Sequence, residues 1–180
     1  GDPVEIASID DISRATIVRL AAGGRTGILT FAHHLFEGSV VVNPTTTDPF
    51  RDRNVVHAIT KNNQLDWIRG WISFYVQAHG ADAVILYDNG STLYSRLDLE
   101  RVVAEVPDLA VIAVIAVNFP FGSNGTSNTD YESLFLQRSM LELSRTRFLS
   151  RSGAVLNVDI DELFYSHSGR SVFEATRTSH

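Results

Sequence analysis

From Asn54 onward, apolar runs with strand character alternate with segments of helical spacing. The runs predict strands over residues 55–60, 83–87, 109–117 and 154–164. The segments between them predict helices that end near Gly80, Pro107 and Gly153. This alternation is typical of an α/β fold, a three-layer sandwich with a mainly parallel sheet.

Finer expectations accompany this layout. Asn63 is expected to cap the first helix, with Asp66 completing a capping box. The nearly continuous apolar run 109–117 is typical of an inner strand that is covered on both faces. In the third helix, predicted over residues 131–151, heptad spacing selects an apolar face of Leu134, Leu141 and Phe148.

The first 53 residues are less regular and predict an N-terminal extension packed on a main domain of residues 54–180. Apolar residues between Ile12 and Leu20 predict a short helix that closes at Gly23-Gly24. Residues 27–44 predict a β-hairpin, with its turn at Glu37-Gly38.

The segment 154–164 carries the most suggestive chemistry. Read as a strand, it places Asn157, Asp159 and Asp161 on one face, because side chains alternate along a strand. Close carboxylates repel each other, and a divalent cation relieves that repulsion; Mg²⁺ and Mn²⁺ prefer such oxygen ligands. Asp159 and Asp161 are therefore candidate metal ligands. The alternative is that the triplet is a solvated strand end or a helix cap.

Other polar residues follow the first two strands of this predicted sheet. They are Thr60, Lys61, Asn63, Asp88 and Asn89. Ligands of open α/β sheets bind outside the carboxyl ends of the strands, so these side chains are candidates for binding a phosphate-bearing ligand. A carboxylate such as Asp88 suits a ribose hydroxyl. Neither a dinucleotide fingerprint nor a P-loop motif follows any strand, which leaves more of the phosphate charge for a metal to neutralise.

Composition narrows the function classes. A net charge of -6 argues against a nucleic-acid-binding surface. The absence of cysteine excludes disulfides and thiolate sites and favours a reducing, cytoplasmic setting. The longest apolar run is too short to span a bilayer, although membrane association through segments outside this chain stays open.

Several short motifs occur in a recognisable order. They are Asn63-Gln64, Trp67-Ile68, Trp71, Gly80, Tyr87-Asp88-Asn89-Gly90-Ser91, Gln137 and Asp159-Ile160-Asp161-Glu162-Leu163-Phe164. Together, over roughly residues 54–165, they resemble the opening of GT-A glycosyltransferases, in particular glycosyltransferase family 92 and its family 2-like relatives.

The resemblance implies the donor-binding half of a metal-dependent glycosyltransferase. Mn²⁺ or Mg²⁺ would bridge the diphosphate of a nucleotide sugar to the acidic motif, with Asp161 as direct ligand and Asp159 reaching the metal or the ribose. Asp88 would contact the nucleoside, and Gln137 matches a glutamine of the family. The sugar would pass to a glycan-type acceptor, as in cell-surface polysaccharide synthesis.

The chain also departs from the family pattern. Gln64 and Gly70 replace glutamates, and Tyr75 stands where the family often has histidine. Few residues follow the acidic motif, so the resemblance implies an enzyme shortened on its acceptor side. The sequence singles out no catalytic base, and the acidic residues considered for the role are Glu162 and Glu174.

Two other functions stay open. One is a non-catalytic domain that binds a nucleotide sugar or a protein partner. The other is a phosphatase using the Asp-X-Asp pair, which is disfavoured because that motif usually lies on the first strand.

Overall fold

The computed structural model describes residues 5–12, 15–21, 27–34, 36–122 and 135–177. The chain divides into two units, Gly1–Thr45 and Thr46–His180. The first unit contains two antiparallel strand pairs, and the second contains a four-stranded parallel sheet with helices.

In the first unit, β1 (Glu5–Ile12) pairs with β2 (Ala15–Ala21), and β3 (Gly27–His33) pairs with β4 (Phe36–Val42). The predicted hairpin over residues 27–44 is confirmed, but its predicted turn is wrong. Glu37 and Gly38 lie inside β4, opposite Ala32 and Phe31.

The helix predicted between Ile12 and Leu20 is also wrong, because Ile12 belongs to β1 and Ala15–Leu20 to β2. The β-branched run Thr16-Ile17-Val18 explains the difference, since such side chains are stiff in helices and favoured in strands. The glycines expected to close that helix lie outside the described residues.

The second unit alternates strands and helices. Its elements are β5 (Asn54–Thr60), α1 (Leu65–His79), β6 (Ala83–Asp88), α2 (Arg96–Ala104), β7 (Val111–Ala116), α3 (Phe135–Arg147), β8 (Ala154–Asn157) and α4 (Val172–Arg177). The strands pair in the order β7-β6-β5-β8, and every pair is parallel. The predicted α/β fold with a parallel sheet is therefore confirmed.

Each face of this sheet has its own core. One cluster joins Val56 and Leu86 of the sheet to Ile72 of α1 and Val103 of α2. Residues from the other sheet face, among them Ile85 and Tyr87, pack with Leu136 and Met140 of α3. The sheet is therefore the middle of three layers, which is why its inner strands β5 and β6 are almost wholly buried.

The ends of α1 were predicted in part. Gly80 ends the helix in the left-handed conformation, with φ 69°, which glycine adopts without steric cost. The predicted Asn63 cap is wrong, because the cap residue is Gln64 and its side chain makes no capping hydrogen bond. A capping box occurs instead at α2, where Ser95 and Asp98 bond reciprocally.

Two expectations about packing need correction. The apolar strand β7 lies at the edge of the sheet and is half-buried, because a continuous apolar run reports covered faces and not the position in the strand order. In α3, the buried positions are Leu136, Met140 and Ser144, whereas Leu141 is exposed. Phe148 follows the end of that helix, and Leu134 lies outside the described residues. The heptad phase was therefore wrong.

Candidate functional site

Three strands deliver their ends to one edge of the sheet. Thr60 ends β5 beside Asp88 at the end of β6, and β8 joins the other side of β5 with Asn157 opposite His57. Because the strands are parallel, all their carboxyl ends meet at this edge. Ligands of open α/β sheets bind there, so the candidate residues of the sequence are brought to the expected place.

The acidic motif forms a turn, and its predicted strand conformation is wrong. Strand β8 ends at Asn157, and the Glu162 amide then donates to the Asp159 carbonyl at 3.1 Å. Between the two aspartates, Ile160 is buried in the core cluster that contains the α1 side chains. The exposed Asp159 and Asp161 are thus held on either side of a buried apolar anchor. We call residues Asp159–Glu162 the acidic turn.

The acidic turn lines a pocket of about 240 Å³. The other lining residues come from β5, the turn after it, the segment after β7, and α3. The complete lining is Ile59, Asn63, Phe121, Gln137, Asp159, Ile160 and Asp161. Gln137 donates its Nε2 hydrogen to Asp159 Oδ1 at 3.3 Å. Four residues singled out in the sequence therefore share one pocket: Asn63, Gln137, Asp159 and Asp161.

The carboxylates of the acidic turn act on each other. Although Asp159 is exposed as a residue, partial desolvation of its carboxyl raises the pKa of that group above its ordinary value, and repulsion from Glu162 and then Asp161 adds to the rise. Each of these causes disfavours the ionised form. A cation bound in the pocket would counter them, since opposite charge favours a carboxylate.

The residues present fit a metal held jointly with a ligand. In the described part of the chain, no group of three or more histidine, cysteine, aspartate and glutamate side chains is placed to hold an ion. The pocket offers two carboxylates and the side-chain amides of Gln137 and Asn63. The groups available as metal ligands are therefore oxygen atoms. Mg²⁺ is commonly bound by one or two carboxylates plus substrate phosphates and waters. Asp159 and Asp161 suit that arrangement, and a complete protein cage is not formed.

The remaining predicted ligand-binding residues do not line this pocket. Thr60 is buried, and its Oγ1 has no hydrogen-bond partner among the described residues, while Lys61 is exposed. Asp88 is buried and accepts a hydrogen bond from the Ser91 amide at 3.1 Å. Asn89 Nδ2 donates to two main-chain carbonyls of the segment after β7, each at 2.8 Å. Asp88 and Asn89 therefore shape the loops at the sheet edge.

Asn62 is a structural residue that the sequence reading missed. It has φ 57° in the left-handed region, which asparagine tolerates better than most residues. Its side-chain oxygen accepts from the amides of Thr92 and Leu93 at 2.7 and 3.2 Å, and its own amide donates to Ser91 Oγ at 2.9 Å. The turn after β5 and the loop after β6 are thereby joined. Its place in the polar turn Lys61-Asn62-Asn63 was the available signal.

Tyr75 is a second missed residue. Its ring is fully buried in α1, and its hydroxyl donates to the Glu162 carbonyl at 3.2 Å and accepts from the Phe164 amide at 2.9 Å. The hydroxyl thus holds the chain just after the acidic turn. In the sequence it stood out only as a departure from a family histidine.

Comparison with known proteins finds no matching family model, no matching curated protein and no matching solved structure. Within the described ranges, no helix combines the length and apolar character needed to cross a membrane.

Proposed function

We propose that the chain is the donor-binding domain of a metal-dependent glycosyltransferase. The observation that carries the proposal is the convergence of Asp159, Asp161, Gln137 and Asn63 on one pocket at the carboxyl edge of a parallel sheet. The resemblance of the motifs to GT-A enzymes supports the same reading, and we place the activity in the cytoplasm.

The pocket suits the diphosphate end of a nucleotide sugar. Its volume of about 240 Å³ is smaller than sites that enclose a whole drug-sized ligand, which occupy roughly 300–1,000 Å³. Asp161 and Asp159 would hold Mn²⁺ or Mg²⁺, and Gln137 would orient Asp159 through its hydrogen bond. The metal, when bound, supplies a Lewis acid that stabilises the departing nucleoside diphosphate. Asp88 stays the predicted nucleoside contact, one strand further along the edge.

A second candidate function is binding of a nucleotide sugar without transfer. The lining of the pocket favours this function, because its two carboxylates, Asp159 and Asp161, are the candidate metal ligands and neither is left to act as a base. The candidate bases of the sequence, Glu162 and Glu174, do not line it. An inverting transferase needs a base near the acceptor, so a base for this chemistry would come from outside the pocket.

The test is calorimetric titration of a panel of nucleotide sugars, with and without Mn²⁺, on the native chain and on Asp161→Asn. Metal-dependent binding that is lost in Asp161→Asn is expected. Asp108→Asn is the matched control, because it removes the same charge in the turn that precedes β7, on the side of the sheet where the strands begin. Asp108 has φ 66°, and asparagine is accepted there. Absence of binding to every nucleotide sugar, with or without metal, would refute the proposal. Binding without sugar transfer would favour the second function.

A further inference from the structure

Strand β8, which leads directly into the acidic turn, has few main-chain bonds to hold it in place. It has four residues and lies at the edge of the sheet, where β5 is its one partner among the described strands, and Val155 and Asn157 on it are exposed. Short edge strands make few main-chain bonds and are the least protected parts of a sheet. Bonds at the very end of β8 therefore matter for where the chain leaves the strand.

His57 holds the end of β8 at two points. Its ring Nδ1 lies 2.7 Å from Asn157 Oδ1, and its carbonyl accepts the Val158 amide at 3.2 Å. These bonds secure the last residue of the strand and the residue that follows it. Asp159 is the next residue along the chain, so its direction depends on both bonds.

His57 also faces the helix that supplies the other polar group of the pocket. The ring centroid lies 5.4 Å from that of Tyr87, on the sheet face covered by α3, and the Met140 backbone of that helix is near enough to favour the charged form of the ring. Gln137, which bonds Asp159, lies one turn earlier in the same helix. His57 therefore stands between the two elements whose side chains meet in the pocket.

Burying the imidazole of His57 at this position in the core is energetically unfavourable. His57 is 1% exposed, and its Nε2 has no hydrogen-bond partner among the described residues. A carboxamide oxygen can only accept, so Nδ1 carries the ring proton and Nε2 is a buried lone pair. Burying such a group without a partner is destabilising, whereas an apolar side chain would carry no such cost. The hydrogen bond to Asn157 offsets part of that cost.

We propose that His57 and Asn157 are positioning residues, whose hydrogen bond sets the end of β8 and so aims Asp159 at the metal pocket; the role rests on the proposed function of the acidic turn. Neither residue is among those that line the pocket. Their effect passes through the backbone of Val158 and the place of Asp159.

The test compares His57→Leu and Asn157→Leu with the conservative His57→Asn and with Ser144→Ala. His57→Asn places an amide N–H close to the position of Nδ1. Ser144→Ala is the matched control, because it removes a buried 2.7 Å hydrogen bond to Tyr87 on the same sheet face without touching β8. Asn157 is exposed, so Asn157→Leu serves if His57→Leu fails to fold.

The first readout is hydrogen exchange by NMR, which requires no metal. Exchange at the Val158 and Glu162 amides should rise roughly two- to tenfold in both leucine variants, after correction for the change at amides of β6. His57→Asn should restore most of the protection, and Ser144→Ala should show no excess at these amides. Equal corrected exchange in the leucine variants and Ser144→Ala would overturn the proposal.

The second readout is the affinity for Mn²⁺ in the presence of uridine diphosphate. A native chain that binds, with affinity weakened in both leucine variants and kept in Ser144→Ala, supports the positioning role. Raised exchange with unchanged affinity would overturn it. If exchange rises in the leucine variants but the native chain does not bind Mn²⁺, the proposed function and the orientation of Asp159 toward a metal are refuted. The structural role of His57 in holding the turn would then remain.

Discussion

The hydroxyl of Tyr75 offers a sharp test of how the acidic turn is held. Tyr75→Phe removes one oxygen atom and leaves the ring, which is fully buried in the core cluster between α1 and the sheet. Two main-chain bonds are lost with it, from the Phe164 amide at 2.9 Å and to the Glu162 carbonyl at 3.2 Å. Burial raises the pKa of the Tyr75 hydroxyl, so it is protonated throughout the neutral range and can donate.

The expected cost follows from those two bonds. A typical intramolecular hydrogen bond contributes about 0.5–1.5 kcal/mol net, which gives about 1–3 kcal/mol for the pair. The lower half of that range applies, because the segment around Phe164 is exposed and water can reach the freed groups. We expect a loss of about 1–2 kcal/mol in the free energy of unfolding, or a fall in Tm of about 3–8 °C.

Tyr87→Phe provides the control. Tyr87 is also fully buried, and the change removes the same atom, but its bond is to Ser144 on the opposite sheet face. Urea unfolding should show a loss of about 1 kcal/mol in Tyr87→Phe. Calorimetry with Mn²⁺ and uridine diphosphate should show weaker binding only in Tyr75→Phe, by about two- to tenfold. Equal affinity in the two variants, or a Tyr75→Phe chain as stable as the native one, would refute the claim that this hydroxyl holds the turn.

Three further perturbations have defined outcomes. Asp159→Asn removes a charge that two nearby carboxylates repel, so the metal-free chain should gain up to about 1 kcal/mol in urea unfolding while losing Mn²⁺ affinity; a destabilised variant would contradict the repulsion. Burial lowers the pKa of His57, so the unfolded chain takes up the proton first as pH falls below about 6.5, and stability should drop by up to about 1.4 kcal/mol per pH unit until the folded pKa is reached. That slope should be smaller in His57→Leu, and an identical slope would show that another group causes it. Gly153→Ala would place a Cβ 2.8 Å from the Asp52 carbonyl oxygen at the entry to β8, and Tm measurements should show a loss of about 1–3 kcal/mol; an unchanged Tm would mean that the segment shifts without cost.

Much of the parallel sheet is predictable because its signals are local. The apolar runs that form β5 and β6 are bounded by polar turns, and Gly80 marks the end of α1 without ambiguity. The cap of α1 was misassigned because Asn63 is a favoured N-cap by residue type, whereas Gln64 is not. Gln64 nevertheless takes the cap position, with an extended backbone and no capping hydrogen bond from its side chain.

The acidic turn shows where local signals are insufficient. Val158 and Ile160 alternate with polar residues as in a strand, and both pack toward the same core, yet the strand ends at Asn157. The end is set by the partner strand, since β8 pairs with Asn54–His57 and no further. A partner a hundred residues away in sequence leaves no trace in the pattern of the segment itself.

The sequence identified which residue types belong to the candidate site. It did not show which of those side chains face the pocket. Asp159, Asp161 and Gln137 were identified from motifs and do meet in one pocket. Asp88 and Asn89 came from the same reasoning but bond to nearby loops. Nothing in the residue types separates a side chain that faces a ligand from one that ties a loop.

The pairing of His57 with Asn157 also orders the events of folding. These residues are 100 positions apart, whereas β5, β6 and β7 follow one another with only a helix between neighbours. Contacts distant in sequence form slowly, because the entropy of closing a long loop is lost before the contact can stabilise the chain. The three-stranded nucleus should therefore gather first, and β8 should dock last, carrying the acidic turn with it. Pulse-labelled exchange during refolding should protect Ile85 before Val158, and the pocket lined by Asp159 and Asp161 should form only in the final step.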